Sequence, residues 1–325
     1  MAQLIKLQDY VSRYENDLSR YPTQFVRLKK QQWEKLKVAW EDGTVPTPDN
    51  TIYDISDKET RTKQSFIEKM KGLLKKDLLE LSDEEEIKTP IPNGDSEEGQ
   101  FELSYTLPLQ AKTEMELKQA FLDQLLRFQI NWASSTITEK SFVDSKYKHD
   151  ERLQHFLQRF PDSYFLLYEP IFLLKKAPVE AEALLLTPTE IWCCAFIELE
   201  ENAAYTGSPD HFWIQRSGGR ETKVLNPGIS ASRTEKIIKQ LFSLYEVDLP
   251  IRKAVISRNG YLDYPDAPGD LIMLDKRSYE DWFQKQRTSG SPLKMMQIRA
   301  AKALLEYCQT TSFRRPDWNR EIESG

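Results

Sequence analysis

The chain has 325 residues, with 45 Lys and Arg against 51 Asp and Glu, for a formal charge of -6. An acidic total gives no support to indiscriminate nucleic-acid binding, although local basic stretches can still meet phosphates. The 15 Phe, 14 Tyr and 7 Trp exclude wholesale disorder and predict a substantial core, within a length that allows two or three domains.

In chain order, Leu4, Leu7, Val11, Tyr14 and Leu18 recur at helical spacing. Tyr21-Pro22 then interrupts, and Phe25, Leu28, Trp33, Leu36 and Trp40 repeat the pattern, which predicts a helical hairpin. Phe66, Met70, Leu73, Leu74 and Leu78 mark another amphipathic helix. Its opposite face carries Lys69, Lys71, Lys75 and Lys76, readable as a solvated face or as a nucleic-acid contact. We take residues 1–81 as a helical N-terminal region that would bind a protein partner. Residues 82–100, with Asp83-Glu84-Glu85-Glu86, Pro90, Pro92 and Asn93-Gly94, read as an acidic flexible linker. Residues 101–144 form a helical connector around Met115, Leu117, Phe121, Leu125 and Phe128.

The third part spans residues 145–285. A helix containing Leu153, Phe156, Leu157 and Phe160 stops at Pro161, and strands begin at Phe165-Leu166-Leu167-Tyr168. Two apolar strands follow, Ala183 to Leu186 and Ile191 to Ile197. Gly218-Gly219 signals a hairpin, Asn226-Pro227 the start of a helix through Ile237, Ile238, Leu241, Phe242 and Tyr245, and Asn259-Gly260 a second hairpin. Residues 286–325 supply a C-terminal helix near Ala300 to Cys308 and a tail. There Ser312-Phe313-Arg314-Arg315, Trp318 and Arg320 combine cations with aromatics, suited either to stacking on bases or to docking on the protein itself. The expected fold class is α/β, a mixed sheet flanked by helices.

No apolar run approaches the ~20 residues of a membrane-spanning helix, and Met1-Ala2-Gln3-Leu4 opens no basic-then-hydrophobic leader, so we expect a cytoplasmic protein away from membranes. Cys193, Cys194 and Cys308 read as small core residues. His149, His155 and His211 form no metal-ligand spacing; His155 is expected to pack or cap beside Phe156, and His211 to lie in a turn before Phe212-Trp213. Neither a Gly-rich phosphate loop nor a Gly-x-Ser-x-Gly arrangement occurs, which removes support for nucleotide hydrolysis and acyl transfer.

The chemistry concentrates in the acids beside the two apolar strands. Glu180 and Glu182 precede the first, and the second runs into Glu198, Glu200 and Glu201; strand alternation puts Glu198 and Glu200 on one face. Converging carboxylates suit a hard cation such as Mg²⁺ or Mn²⁺ in phosphodiester chemistry, while strand-end acids facing solvent are the structural alternative.

Over about residues 145–275 the order of these motifs resembles the nuclease-related domain family, NERD, which is similar to the restriction-endonuclease-like superfamily. The resemblance matches Glu151 to a helix acid, Glu182 to a strand Asp, Glu198 to the Glu of a Glu-x-Lys strand, and Asn226-Pro227 to a later helix opening. Glu200 occupies the lysine position, where a lysine would orient the attacking water; Lys175, Lys176 or Lys223 would have to replace it. The resemblance implies a restriction-endonuclease-like core that processes DNA or RNA. Glu182 and Glu198 would hold the metal, Glu200 would be a third ligand or base, and Glu151 an auxiliary acid. Its alternative is a catalytically silent module of the same fold that binds protein or nucleic acid.

Overall fold

The computed structural model describes residues 1–43, 111–174 and 177–315. The expected helix around Phe66, the 82–100 linker, Lys175, Lys176, Trp318 and Arg320 lie outside them.

The chain begins with strand β1 (Gln3–Leu7), the short helix α1 (Arg13–Asn16) capped by Ser12, and the long helix α2 (Tyr21–Glu41), with Pro22 in its first turn where no N–H is needed. Helix α3 (Glu114–Trp132) starts at Thr113, whose side chain accepts from Glu116 N–H. After β2 (Glu139–Lys140) and a 3₁₀ turn at Ser145–Lys148 comes helix α4 (Glu151–Arg159), capped by Asp150. Strands β3 (Phe165–Tyr168), β4 (Ile171–Leu173), β5 (Pro178–Glu180), β6 (Ala183–Leu186), β7 (Ile191–Phe196), β8 (Ala204–Thr206), β9 (Phe212–Ser217) and β10 (Arg220–Leu225) follow. The remainder is helix α5 (Pro227–Leu244), strands β11 (Ile251–Ser257), β12 (Tyr261–Asp263) and β13 (Leu271–Asp275), helices α6 (Tyr279–Arg287) and α7 (Met295–Glu306), and β14 (Phe313–Arg314).

A six-stranded mixed sheet, in the order β1-β3-β6-β7-β11-β13, organises the molecule, and a four-stranded sheet runs β10-β9-β8-β12. In the large sheet β6 is antiparallel to both neighbours, β3 and β7, while β7, β11 and β13 run parallel. Side-chain alternation sends Trp192, Cys194, Ala254 and Ile256 to one face. There they join Leu153, Phe156 and Phe160 from α4 and its end, and Trp282 and Phe283 of α6. Ala195, Val255 and Ile197 face the other way, against Ala231 of α5 and Trp213 of the smaller sheet. The sheet is therefore mixed and flanked by helices, as expected from sequence.

Four expectations are met in detail. β6 and β7 are the two apolar strands and pair with each other. Gly218 and Gly219, with φ of 55° and 77°, turn β9 into β10, a conformation glycine tolerates at no steric cost. Asn226 caps α5 through Gly228 N–H, with Pro227 in its first turn. All three cysteines are buried.

Two are corrected. The helical spacing of Leu4 and Leu7 belongs to a strand, because every residue of β1 is buried; both faces of so short an apolar run are covered, which erases the period-2 signal. β1 pairs in parallel with β3, and its outer edge is satisfied by Gln129 of α3, whose Oε1 accepts from Leu4 N–H at 2.9 Å while Nε2 donates to Ala2 O at 3.1 Å. Residues 1–43 are thus built into the same compact unit as residues 111–315, not into a separate helical region. Asn259-Gly260 is also no hairpin turn: β11 pairs with β7 and β13, while β12 crosses to the smaller sheet beside β8. Gly260 is required by close approach, since a Cβ there would stand 2.7 Å from Ala203 O and 2.8 Å from Ser257 Oγ.

Among the described residues, no helix is long and apolar enough to cross a membrane.

Candidate functional site

The strand acids meet arginines. β7 runs on to Glu198 and β11 to Arg258, so the parallel pairing of these strands carries the two side chains to the same end of the sheet. Glu198 Oε1 accepts from Arg258 N–H at 3.1 Å and from Nε at 2.6 Å, and Oε2 accepts from Nη2 at 2.8 Å. Arg152, in the first turn of α4, adds an ion pair at 3.5 Å. The Glu198 side chain is only 7% exposed. Burial opposes its ionisation, but the hydrogen bonds and charge of Arg258, with Arg152 behind them, hold its carboxyl below the ordinary carboxylate range.

Glu182, just before β6, lies at the same end. Its Oε2 accepts from Phe196 N–H at 2.8 Å, and Arg152 lies over the Phe196 ring at 4.2 Å. Burial raises the Glu182 pKa, against the pull of the Phe196 hydrogen bond and the Arg152 charge. The structure therefore brings Glu182 and Glu198 to the same end of the sheet. It leaves the other two predicted residues outside. Glu200 is exposed in the turn after β7, and Glu151 is exposed in the first turn of α4, where a carboxylate is favoured by the helix dipole.

Arg152 and Arg258 change what the cluster can do. A divalent cation needs carboxylate lone pairs facing open space. Here both oxygens of Glu198 receive guanidinium protons and one oxygen of Glu182 receives a backbone proton, so the donors as placed do not suit such an ion. Among the described residues no group of three or more His, Cys, Asp or Glu side chains gathers in a way that would hold a metal. Beside the cluster, His155 bonds through Nε2 to Tyr279 Oη at 2.9 Å and packs on Phe160 and Phe283. Burial, then the charges of Arg258 and Arg159, depress its pKa to about 4, so it stands neutral as a packing residue.

A different set of side chains faces open space in a cleft of about 550 Å³ between α3 and the segment that enters α4. Arg127 and Asn131 project from α3, Lys148 and His149 from the end of the 3₁₀ turn, and Gln154 from α4. Gln154 is held by Asp123, itself part of the cleft wall, whose Oδ1 also accepts from Gln119 and Gln158 at 3.0 and 2.7 Å. Arg127, Lys148 and His149 are all exposed, and among the described residues no ion pair or side-chain hydrogen bond engages them. Two cations and an imidazole in one cleft can receive an anion and exchange protons with it. Sequence reasoning passed over this cleft, because its residues come from segments about twenty positions apart and match no motif. The only local signal was the Lys148-His149 pair just before a helix cap.

The comparisons bear on the same question. No family model matches the chain, and no solved structure matches it. Over 134 residues the chain is 37% identical to a Geobacillus stearothermophilus protein named RNA 2',3'-cyclic phosphodiesterase. The match covers 40% of this chain and 36% of the relative, so the chain spans about a third of the curated protein it resembles. That finding corrects the expected function. A metal-dependent nuclease-related protein in which Glu replaces Lys, or its silent counterpart, gives way to a similarity with a protein named for RNA phosphoester chemistry.

Proposed function

We propose that this protein acts on RNA phosphate ends, opening terminal 2',3'-cyclic phosphates in the cleft formed by Arg127, Lys148 and His149. The observation that carries this reading is the convergence of two exposed cations and an exposed imidazole on one cleft. The name of the partial relative supports the substrate class.

A cyclic phosphate is a monoanion in a strained five-membered ring. Arg127 and Lys148 receive its non-bridging oxygens, the guanidinium as a planar fork and the ammonium as a point charge. Water attacks phosphorus, one P–O bond of the ring breaks, and a phosphomonoester with a free hydroxyl results. The proton that water loses passes to the imidazole of His149, and the departing ribose oxygen takes a proton from the imidazolium so formed or from solvent. Asn131 and Gln154 offer amide donors to the ribose side.

The reading is tested by incubating the full chain with an oligoribonucleotide that ends in a 2',3'-cyclic phosphate. The expected product gains the mass of one water, and His149→Ala lowers the rate roughly 10²–10⁴-fold, the usual scale for a lost acid–base group. Unchanged turnover in His149→Ala would remove the cleft from the mechanism. Persistent cyclic ends with the parent protein would remove the activity.

A further inference from the structure

The tail was expected either to stack on bases or to dock on the protein itself, and it docks in a way that leaves an aromatic face open. β14 pairs antiparallel with β2, setting Phe313 opposite Lys140 and Arg314 opposite Glu139. Phe313 stacks on Phe142, with ring centroids 4.4 Å apart and planes inclined by 24°. Yet Phe142 remains 82% exposed and Phe313 38% exposed, so a stacked aromatic pair stands in solvent. The ladder places Lys140 on the Phe313 face, whereas alternation along the strand turns the exposed Arg314 to the other face, opposite Glu139. Glu139 accepts there from Ser312 Oγ at 3.0 Å.

An exposed ring with a cation beside it has the composition that single-stranded nucleic acid meets. Every base has a π-face that stacks without sequence preference, and the phosphates on either side need positive charge. Position along the chain adds to this. Phe142 lies between Lys140 and the 3₁₀ turn that ends at Lys148, with His149 next, so one segment of ten residues holds the ring, the cleft imidazole, Lys140, Lys148 and a Lys146 that pairs with Glu169.

We propose that Phe142, backed by Phe313 and flanked by Lys140, is a stacking platform for a base of single-stranded RNA whose end occupies the cleft. This deepens the function proposed above and rests on it for the choice of RNA. Phe313 buttresses the ring, Phe142 presents the face, and Lys140 meets a neighbouring phosphate.

The test measures fluorescence anisotropy of a labelled single-stranded oligoribonucleotide with the full chain, Phe142→Ala, Phe142→Trp and Lys140→Ala. Turnover of a mononucleoside 2',3'-cyclic phosphate is followed in parallel. Because Phe142 is exposed, its replacement leaves the fold intact, which the unfolding temperature checks. Expected are roughly tenfold weaker binding for Phe142→Ala, recovery with Phe142→Trp, a shallower salt dependence for Lys140→Ala, and no effect of Phe142→Ala on binding of duplex RNA, whose bases are already stacked. Equal single-strand binding by parent and Phe142→Ala overturns the platform. So does a dimer in sedimentation that Phe142→Ala dissociates while RNA binding stays the same, which would assign the ring to self-association. The two readings separate cleanly. Mononucleotide turnover without a Phe142 effect on RNA leaves the cleft and removes the platform, whereas Phe142-dependent RNA binding without turnover leaves the platform and removes the proposed reaction.

Discussion

Replacing Glu198 by Gln tests the view that its cluster with Arg258 and Arg152 is held together by charge. The wild-type carboxylate takes three hydrogen bonds from Arg258 and an ion pair from Arg152. The amide keeps one acceptor oxygen, turns an N–H₂ toward the guanidinium, and leaves both arginines without that carboxylate charge. Removing one partner of a fully buried pair costs about 3–5 kcal/mol. The Arg258 and Arg152 side chains are 24% and 29% exposed, so water recovers part of this, and about 2–4 kcal/mol is the expected loss. For a unit of this size each kcal/mol moves the Tm by roughly 2–4 °C, which predicts a fall of roughly 5–15 °C by calorimetry. Glu198→Leu with Arg258→Met removes the bidentate pair but leaves Arg152 without its carboxylate, so the double variant should lose less than the sum of the two single changes yet more than a variant that also carries Arg152→Met. The pH dependence has a definite sign. The folded pKa of Glu198 is depressed, so its contribution is present above the ordinary carboxylate range and disappears as pH falls through the folded value; Glu198→Gln should lack that component. A loss below about 0.5 kcal/mol in Glu198→Gln, or a double variant as unstable as the sum of the singles, would refute the argument.

Two further outcomes follow from packing. In Gly260→Ala the new methyl meets the Ala203 carbonyl oxygen, which is backbone and cannot swing aside, so denaturant unfolding should show a loss of about 1–3 kcal/mol; wild-type stability would mean the chain relaxes there freely. His155 has a folded pKa of about 4 against 6.5 when unconstrained, so between these values the unfolded state binds more protons. Stability should fall as pH drops from about 6.5 to about 4, by up to about 3 kcal/mol, and His155→Gln should flatten that part of the profile.

How much could be read from sequence depended on whether the signal was local. The β6–β7 pair, the Gly218-Gly219 turn and the Asn226-Pro227 helix start each rest on neighbours in sequence, and each was legible. β1 was not, because five consecutive buried residues carry no period and the strand's partner is β3, some 160 positions away. Asn259-Gly260 has hairpin composition, but the tight contact with Ala203 across the fold determines the glycine. At the acidic cluster, strand alternation singled out Glu198 with Glu200, which lies outside it beyond the end of β7, while Glu182 was joined to Glu198 only through the resemblance. The arginines that set its chemistry were invisible, since Arg258 reaches Glu198 across 60 residues and Arg152 arrives from a helix on a different layer. Charge pairing over such distances leaves no periodic trace. The cleft was missed for the same reason: Arg127 and His149 become neighbours only through the packing of α3 against the entry to α4.

The most direct test of the proposed chemistry is a single-turnover assay of parent, His149→Ala and His211→Ala on an oligoribonucleotide with a 2',3'-cyclic phosphate end. His211, exposed and not among the residues lining the cleft, serves as the control histidine. Ring opening by the parent and by His211→Ala, with its loss in His149→Ala, is the predicted result. Equal rates in all three proteins, or intact cyclic ends throughout, would contradict it.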